Sequence, residues 1–125
     1  MKIKKVTPVR IVDRIEPCLA FWCGALGYEK LAEVPHEDTL GFVLLQNAAG
    51  EFMLQTRASL AADIPSAALR NPETLMFVEV ASLADARKAT AGAEVLVEDR
   101  TTFYGMRESV VVDPGGTVVI LAEKV

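Results

Sequence analysis

The sequence predicts an α+β fold in which one βαβββ unit is built twice in tandem, the two copies forming curved mixed sheets around a cleft. Three observations predict it. Residues 41–54, GFVLLQNAAGEFML, and residues 105–121, GMRESVVVDPGGTVVIL, follow one plan: a glycine, a β-rich run, a turn and a second β-rich run. Each hairpin lies downstream of a strand and an amphipathic helix. The chain of 125 residues is one domain's worth, with unit one at about 5–56, a connection at about 57–74 and unit two at about 75–123.

The elements follow in order. Residues 6–12, VTPVRIV, alternate as a strand does, with Pro8 tolerated near an edge or a strand start. DRIEPCLAFWCGALG reads as a helix that Asp13 or Glu16 caps, that Pro17 opens and that Gly27 stops. Its Leu19, Trp22, Cys23 and Leu26 fall at i, i+3, i+4 and i+7, which makes one apolar face. Strands at 28–34, 40–46 and 51–56 follow, turning at PHED and NAAG. The alanine-rich stretch 57–74 carries a short helix. The order then repeats. LMFVEV is a strand, Ser82 with Asp85 opens a helix that Gly92 closes, and strands come at 94–98, 107–112 and 117–122.

Bulk composition narrows the function. With 51% hydrophobic and 24% charged residues and a net charge of −4, the chain is an ordinary globular protein without the basic surface that a nucleic-acid partner requires. No apolar run reaches the length of a membrane span or of a signal peptide, so the cytoplasm is the expected compartment. Cys18 and Cys23 stand on different sides of one helix, and they read as structural thiols. Neither a phosphate-cradling glycine loop nor a dinucleotide fingerprint is present.

Each strand has two faces, and one belongs to the helix. The other is apolar with single polar groups set into it. Along 51–56, Phe52 and Leu54 point one way and Met53 and Gln55 the other; along 75–80, Leu75, Phe77 and Glu79 share one side. Two such mixed faces are suited to enclosing a small molecule.

The paired βαβββ plan, with DRIEPCLAFWCGALGYEKL after the first strand and YGMRESVVVDPGGTVVILAE at the end, resembles the vicinal oxygen chelate superfamily. That group includes glyoxalase I, extradiol dioxygenases, fosfomycin-resistance enzymes and bleomycin resistance protein. The resemblance covers nearly the whole chain. In metal-using members of the family, ligands stand at one position on the first and last strand of each unit. By register those positions are Val6, Gln55, Leu75 and Ile120 here, and a slip of one residue offers Thr7, Thr56, Met76 and Leu121. Three of the first four cannot bind a cation, which takes oxygen, nitrogen or sulfur donors. The single histidine, His36, lies in the turn VPHED and reads as a solvated turn residue.

The expectation is therefore a metal-free protein without a cofactor, of the bleomycin-resistance type, that sequesters a small, partly aromatic or cationic ligand as a homodimer. The alternative is an enzyme of the same fold, metal-dependent or using Glu79 as a base. A third reading is a pure interaction module. The residues expected to meet the ligand are Arg10, Gln55, Glu79, Phe77, Tyr104 and Arg107, with no catalytic residue and no metal ligand assigned. Arg10 and Glu79 occupy equivalent places in the two units and are expected to face the cleft, paired with each other or with ligand. Arg107 is expected to share that face with Ser109. Phe42 and Phe103 are further stacking candidates, and Trp22 reads as core.

Overall fold

The structure, a computed structural model, describes residues 1–114 and 116–125. Two compact units compose it: a first unit of Pro8–Glu73, and a second in which Met1–Thr7 joins Thr74–Val125. Strand β1, Ile3–Val12, is longer than the sequence predicts and gives residues to both.

In the first unit β1 is followed by α1 (Glu16–Leu19), by a π-helical segment (Ala20–Ala25), and by β2 (Glu29–His36), β3 (Thr39–Asn47) and β4 (Gly50–Thr56). The strand order is β2-β3-β4-β1, antiparallel except that β1 runs parallel to β4. One face packs on the helical segment. Ile15, Val43, Leu45 and Leu54 are buried there, with Trp22, Tyr28 and Phe52 against them in edge-to-face contacts at centroid distances of 4.7–5.6 Å. Trp22 is core, as expected. Leu26 is not: the helical backbone ends at Ala25, and Leu26 lies beyond it, half exposed.

The expected N-cap also differs. Neither Asp13 nor Glu16 caps α1, whose N-cap is Ile15 without a side-chain bond. Both carboxylates answer partners elsewhere, Asp13 lying 3.4 Å from the Arg57 guanidinium and Glu16 accepting from Leu40 N–H at 2.8 Å and from the Thr39 hydroxyl at 3.2 Å. Gly27 does take the left-handed conformation that stops the helix, at φ 76°. Residues 57–74 hold two short helices rather than one, α2 (Arg57–Asp63) and α3 (Pro65–Ala68), and Thr56 caps α2 by accepting from Ser59 N–H.

The second unit sets the first residues of β1 beside β5 (Thr74–Val80), with β8 (Val118–Lys124), β7 (Met106–Val112) and β6 (Glu94–Thr101) following in that order. Strands β5 and β8 are parallel; β8, β7 and β6 are antiparallel. Helix α4 (Leu83–Ala89) is opened by Ser82 as predicted, its hydroxyl accepting from Asp85 N–H at 3.1 Å. It ends at Ala89, before Gly92, because Thr90 accepts the closing role: its N–H and hydroxyl both donate to the Ala86 carbonyl. The core beneath α4 is Val80, Leu83, Ala86, Val111 and Leu121. The predicted β7–β8 turn includes Gly115, which lies outside the described residues; around it the Thr117 N–H donates to the Asp113 carboxylate at 2.9 Å.

Candidate functional site

Register decides which side chains share a face. In the first unit Leu54 belongs to the helix side, so its partners Val43 and Arg10 do too. Gln55 stands on the opposite side with its partners Phe42 and Ile11, and Met53 with Leu44 and Val9. Val9 and Ile11 are buried, while Phe42, Leu44, Met53 and Gln55 are half-buried. This is an apolar sheet face with one amide set into it.

The amide is not alone. Gln55 Nε2 donates to Ser59 Oγ at 3.2 Å from the first turn of α2. A β-bulge in the β2–β3 ladder falls between the pairs Val34↔Phe42 and Pro35↔Leu40, leaving Gly41 as the extra residue. A side chain at Gly41 would have its Cβ 2.6 Å from the His36 Cβ and 3.1 Å from the Ser59 Cβ, so glycine is required there by crowding. His36 and Ser59 are thereby neighbours across the missing side chain. His36 is half-buried rather than a solvated turn residue, because β2 runs on through Pro35 and His36 and the turn is only Glu37–Asp38. Gln55 and Ser59 are hydrogen-bonded, and the Cβ atoms of Ser59 and His36 both border Gly41. The sequence reading found the first of these and missed the other two; the available signal was a glycine in the middle of a β-rich run, which often marks a close approach.

In the second unit the helix side holds Val78, Val80, Leu121, Val111 and Ser109. Phe77 and Glu79 stand on the other side with their β8 partners Ile120 and Ala122. Ala122 also pairs with Glu108, and Glu108 with Arg100, so one row across four strands reads Glu79, Ala122, Glu108, Arg100. Glu108 is fully buried. Its Oε1 accepts from Arg100 Nε at 3.0 Å and Nη2 at 2.8 Å, and its Oε2 accepts from the Tyr104 hydroxyl at 2.6 Å. A buried carboxylate is tolerated on these terms, with a charge partner and its lone pairs answered. Glu79 is also buried and lies 3.9 Å from Lys4 Nζ, beyond hydrogen-bond reach.

Of the six residues expected at a ligand, the placements are these. Gln55 stands on the first unit's sheet face away from α1, and Phe77 and Glu79 on the second unit's face away from α4. Tyr104, half exposed, bonds Glu108 and stacks edge-to-face on the exposed Phe103 at 5.1 Å. Arg10 is on the helix side and pairs with Glu73 at 3.6 Å, which corrects the expected pairing of Arg10 with Glu79. Arg107 and Ser109 are also on the helix side, a correction of parity. Arg107 holds Asp99 at 2.9 and 2.6 Å, and that hydrogen bond keeps the Asp99 carboxyl below its ordinary range and raises Arg107. The parity was unreadable in ESVVV because both faces of that strand are buried. Glu108 and Arg100 were missed for the same reason.

The residues do not fit a metal. Val6, Leu75 and Ile120 carry no donor, and among the described residues no three His, Cys, Asp or Glu side chains gather closely enough to hold an ion. Among them too, no helix is long and apolar enough to cross a membrane.

No protein-family profile matches the chain, and no curated protein does. Solved structures match it over nearly its full length. A glyoxalase/bleomycin resistance protein/dioxygenase superfamily member from Vibrio splendidus superposes with a TM-score of 0.73 at 16% identity, over 98% of this chain and 100% of that one. An NAD-dependent benzaldehyde dehydrogenase from Legionella pneumophila gives 0.72 at 11% identity, over 97% and 100%. A methylmalonyl-CoA epimerase variant from Streptomyces coelicolor, solved with 2-nitronate-propionyl-CoA, gives 0.69 at 16% identity, over 98% and 99%. At these identities the likeness is one of fold: the chain has the glyoxalase-type α+β fold of βαβββ-like units.

Proposed function

We propose that the protein binds a small planar molecule without a metal, on the first unit's sheet face away from α1. The observation that carries this reading is the Gln55–Ser59 hydrogen bond, with His36 bordering Ser59 at Gly41, on the face that holds the half-buried Phe42, Leu44 and Met53. An amide offers a ligand both donors and an acceptor, and the Ser59 hydroxyl keeps its proton to donate while it accepts from Gln55. Phe42 supplies a ring to stack on. A planar carbonyl or amide compound with an aromatic body answers that set. Sequestration in this manner, by a homodimer, is the form the fold's bleomycin-resistance members suggest.

Selective 13C labelling of the methionine methyl groups tests the reading, because Met53 reports from the proposed face while Met76 and Met106 report from the second unit. Titration with a library of aromatic amides, benzamide among them, is expected to move the Met53 resonance saturably for at least one compound and to lose that response in Gln55→Leu. A Met53 signal that no compound moves, or that moves equally in Gln55→Leu, sinks the proposal.

A second reading rests on Glu79. A carboxylate out of water with its cation at 3.9 Å is placed as a general base would be. Turnover of any substrate by the wild type, abolished in Glu79→Gln with binding retained, would favour an enzyme.

A further inference from the structure

The second unit carries a cleft on its helix side, the face opposite Phe77 and Glu79, and of the residues expected near a ligand Ser109 lines it. Helix α4 has only two turns and ends at Ala89, which leaves Val95 on the helix side of β6 half exposed. The cleft there has a volume of about 340 Å³, within the range of small-molecule sites. Val95, Val111 and Ala91 supply its apolar lining, and Val95 is half exposed although it pairs directly with the buried Val111. Arg87, Lys88 and Glu98 complete it as charged groups.

The charge at this cleft is unbalanced. Arg87 meets Glu98 at 3.2 Å through one nitrogen of a guanidinium that has five N–H donors. Among the described residues, Lys88 has no carboxylate partner. Cations in a last helical turn commonly serve the orphan carbonyls there, but at this end backbone and hydroxyl donors already reach three of them: Ala86 by the Thr90 N–H and hydroxyl, Lys88 by Ala91 N–H, and Thr90 by Ala93 N–H. The Lys88 ammonium and the remaining donors of the Arg87 guanidinium are left for another partner. Beneath them the buried Ser109 donates its hydroxyl to the Val97 carbonyl at 3.2 Å, so the floor beside the valines presents no donor that competes for an anion.

We infer that this cleft binds a monocarboxylic acid with a short apolar tail, the tail lying on Val95 and Val111 and the carboxylate between Arg87 and Lys88. The site is independent of the ligand proposed for the first unit. Hexanoate is the probe, and 1-hexanol its uncharged counterpart. In 15N-labelled full-length protein at constant ionic strength, hexanoate is expected to shift the amides of Ala91, Val95 and Ser109 saturably, with at least tenfold weaker binding of hexanol. Lys88→Glu, a change at an exposed side chain, is expected to weaken hexanoate at least fivefold while leaving the spectrum folded, and Val95→Gln to weaken hexanoate and hexanol alike. Hexanol binding as well as hexanoate would overturn the carboxylate assignment. Linear, unsaturated shifts, or shifts centred on Phe42 and Gln55, would overturn the site.

Discussion

Glu108 shows what a single side chain can fix. It sits at zero exposure in β7, and its three bonds tie that strand to Arg100 on β6 and to Tyr104 in the turn that joins the two strands. Removing it takes the carboxylate from a guanidinium that is itself four-fifths covered, and breaking such a pair costs more than the pair contributes, because the remaining charge stays desolvated. Glu108→Ala is expected to lower unfolding stability by about 3 kcal/mol in urea titration, and Tyr104→Phe by about 1–2 kcal/mol, the worth of a hydrogen bond to a charged group. Equal and small losses in both variants would mean that Arg100 finds full compensation elsewhere. Nothing in the sequence marked this role, since ESVVV puts one polar residue and valine on each face and its alternation therefore carries no parity. Gln55 was legible because Phe52 and Leu54 fix the parity of their strand.

At the scale of an element, the α1 region shows where local rules stop. Its existence follows from the Leu19, Trp22, Cys23 spacing, and those three residues do pack on the first unit's core. Its capping does not follow, because Glu16 reaches across to β3 and accepts from the Leu40 N–H and the Thr39 hydroxyl. The residue that local rules assign to a helix end thus tethers the helix to a strand. These bonds, the Leu40 N–H first, hold the Glu16 carboxyl below its ordinary 4.5. A folded pKa below the unfolded one adds stability that is complete above about pH 4.5–5 and disappears as pH falls through the lower folded value. Glu16→Gln is accordingly expected to cost stability at pH 7 and to cost nothing at pH 2, so the wild-type and variant curves of unfolding midpoint against pH converge on the acid side. Parallel curves down to pH 2 would show that the carboxylate's charge is irrelevant to the tether. The π-helical turn that follows α1 was beyond sequence reasoning altogether, since α and π backbones present the same residues with the same propensities.

At the scale of the whole molecule, duplication was the most legible property, because it repeats a signal that any single strand gives weakly: two strand–helix–hairpin runs in one order, each observed where it was expected. What the repeat could not convey is how each face is used, since fold and site chemistry are separable. The first unit's face keeps an amide, a hydroxyl and an imidazole, and the second keeps carboxylates already engaged with Arg100, Tyr104 and Lys4. Both sets suit hydrogen bonding better than coordination, and the four positions where the sequence resemblance would put metal ligands hold valine, leucine and isoleucine in three places. A quantitative consequence follows for divalent metals. A cation that bound only the folded chain, at a concentration one hundred times its Kd, would add about 2.7 kcal/mol to stability. In a protein of this size that is a rise in Tm on the order of 10 °C. Dialysis against EDTA is expected to leave the Tm unchanged, and 1 mM Zn2+, Ni2+ or Mn2+ is expected to raise it by no more than about 1 °C. A rise near the full value with any of the three would mean that His36 or Glu79 is recruited as a ligand, and the Tm of His36→Ala and of Glu79→Gln with that metal would tell which: the recruited residue is the one whose loss abolishes the rise.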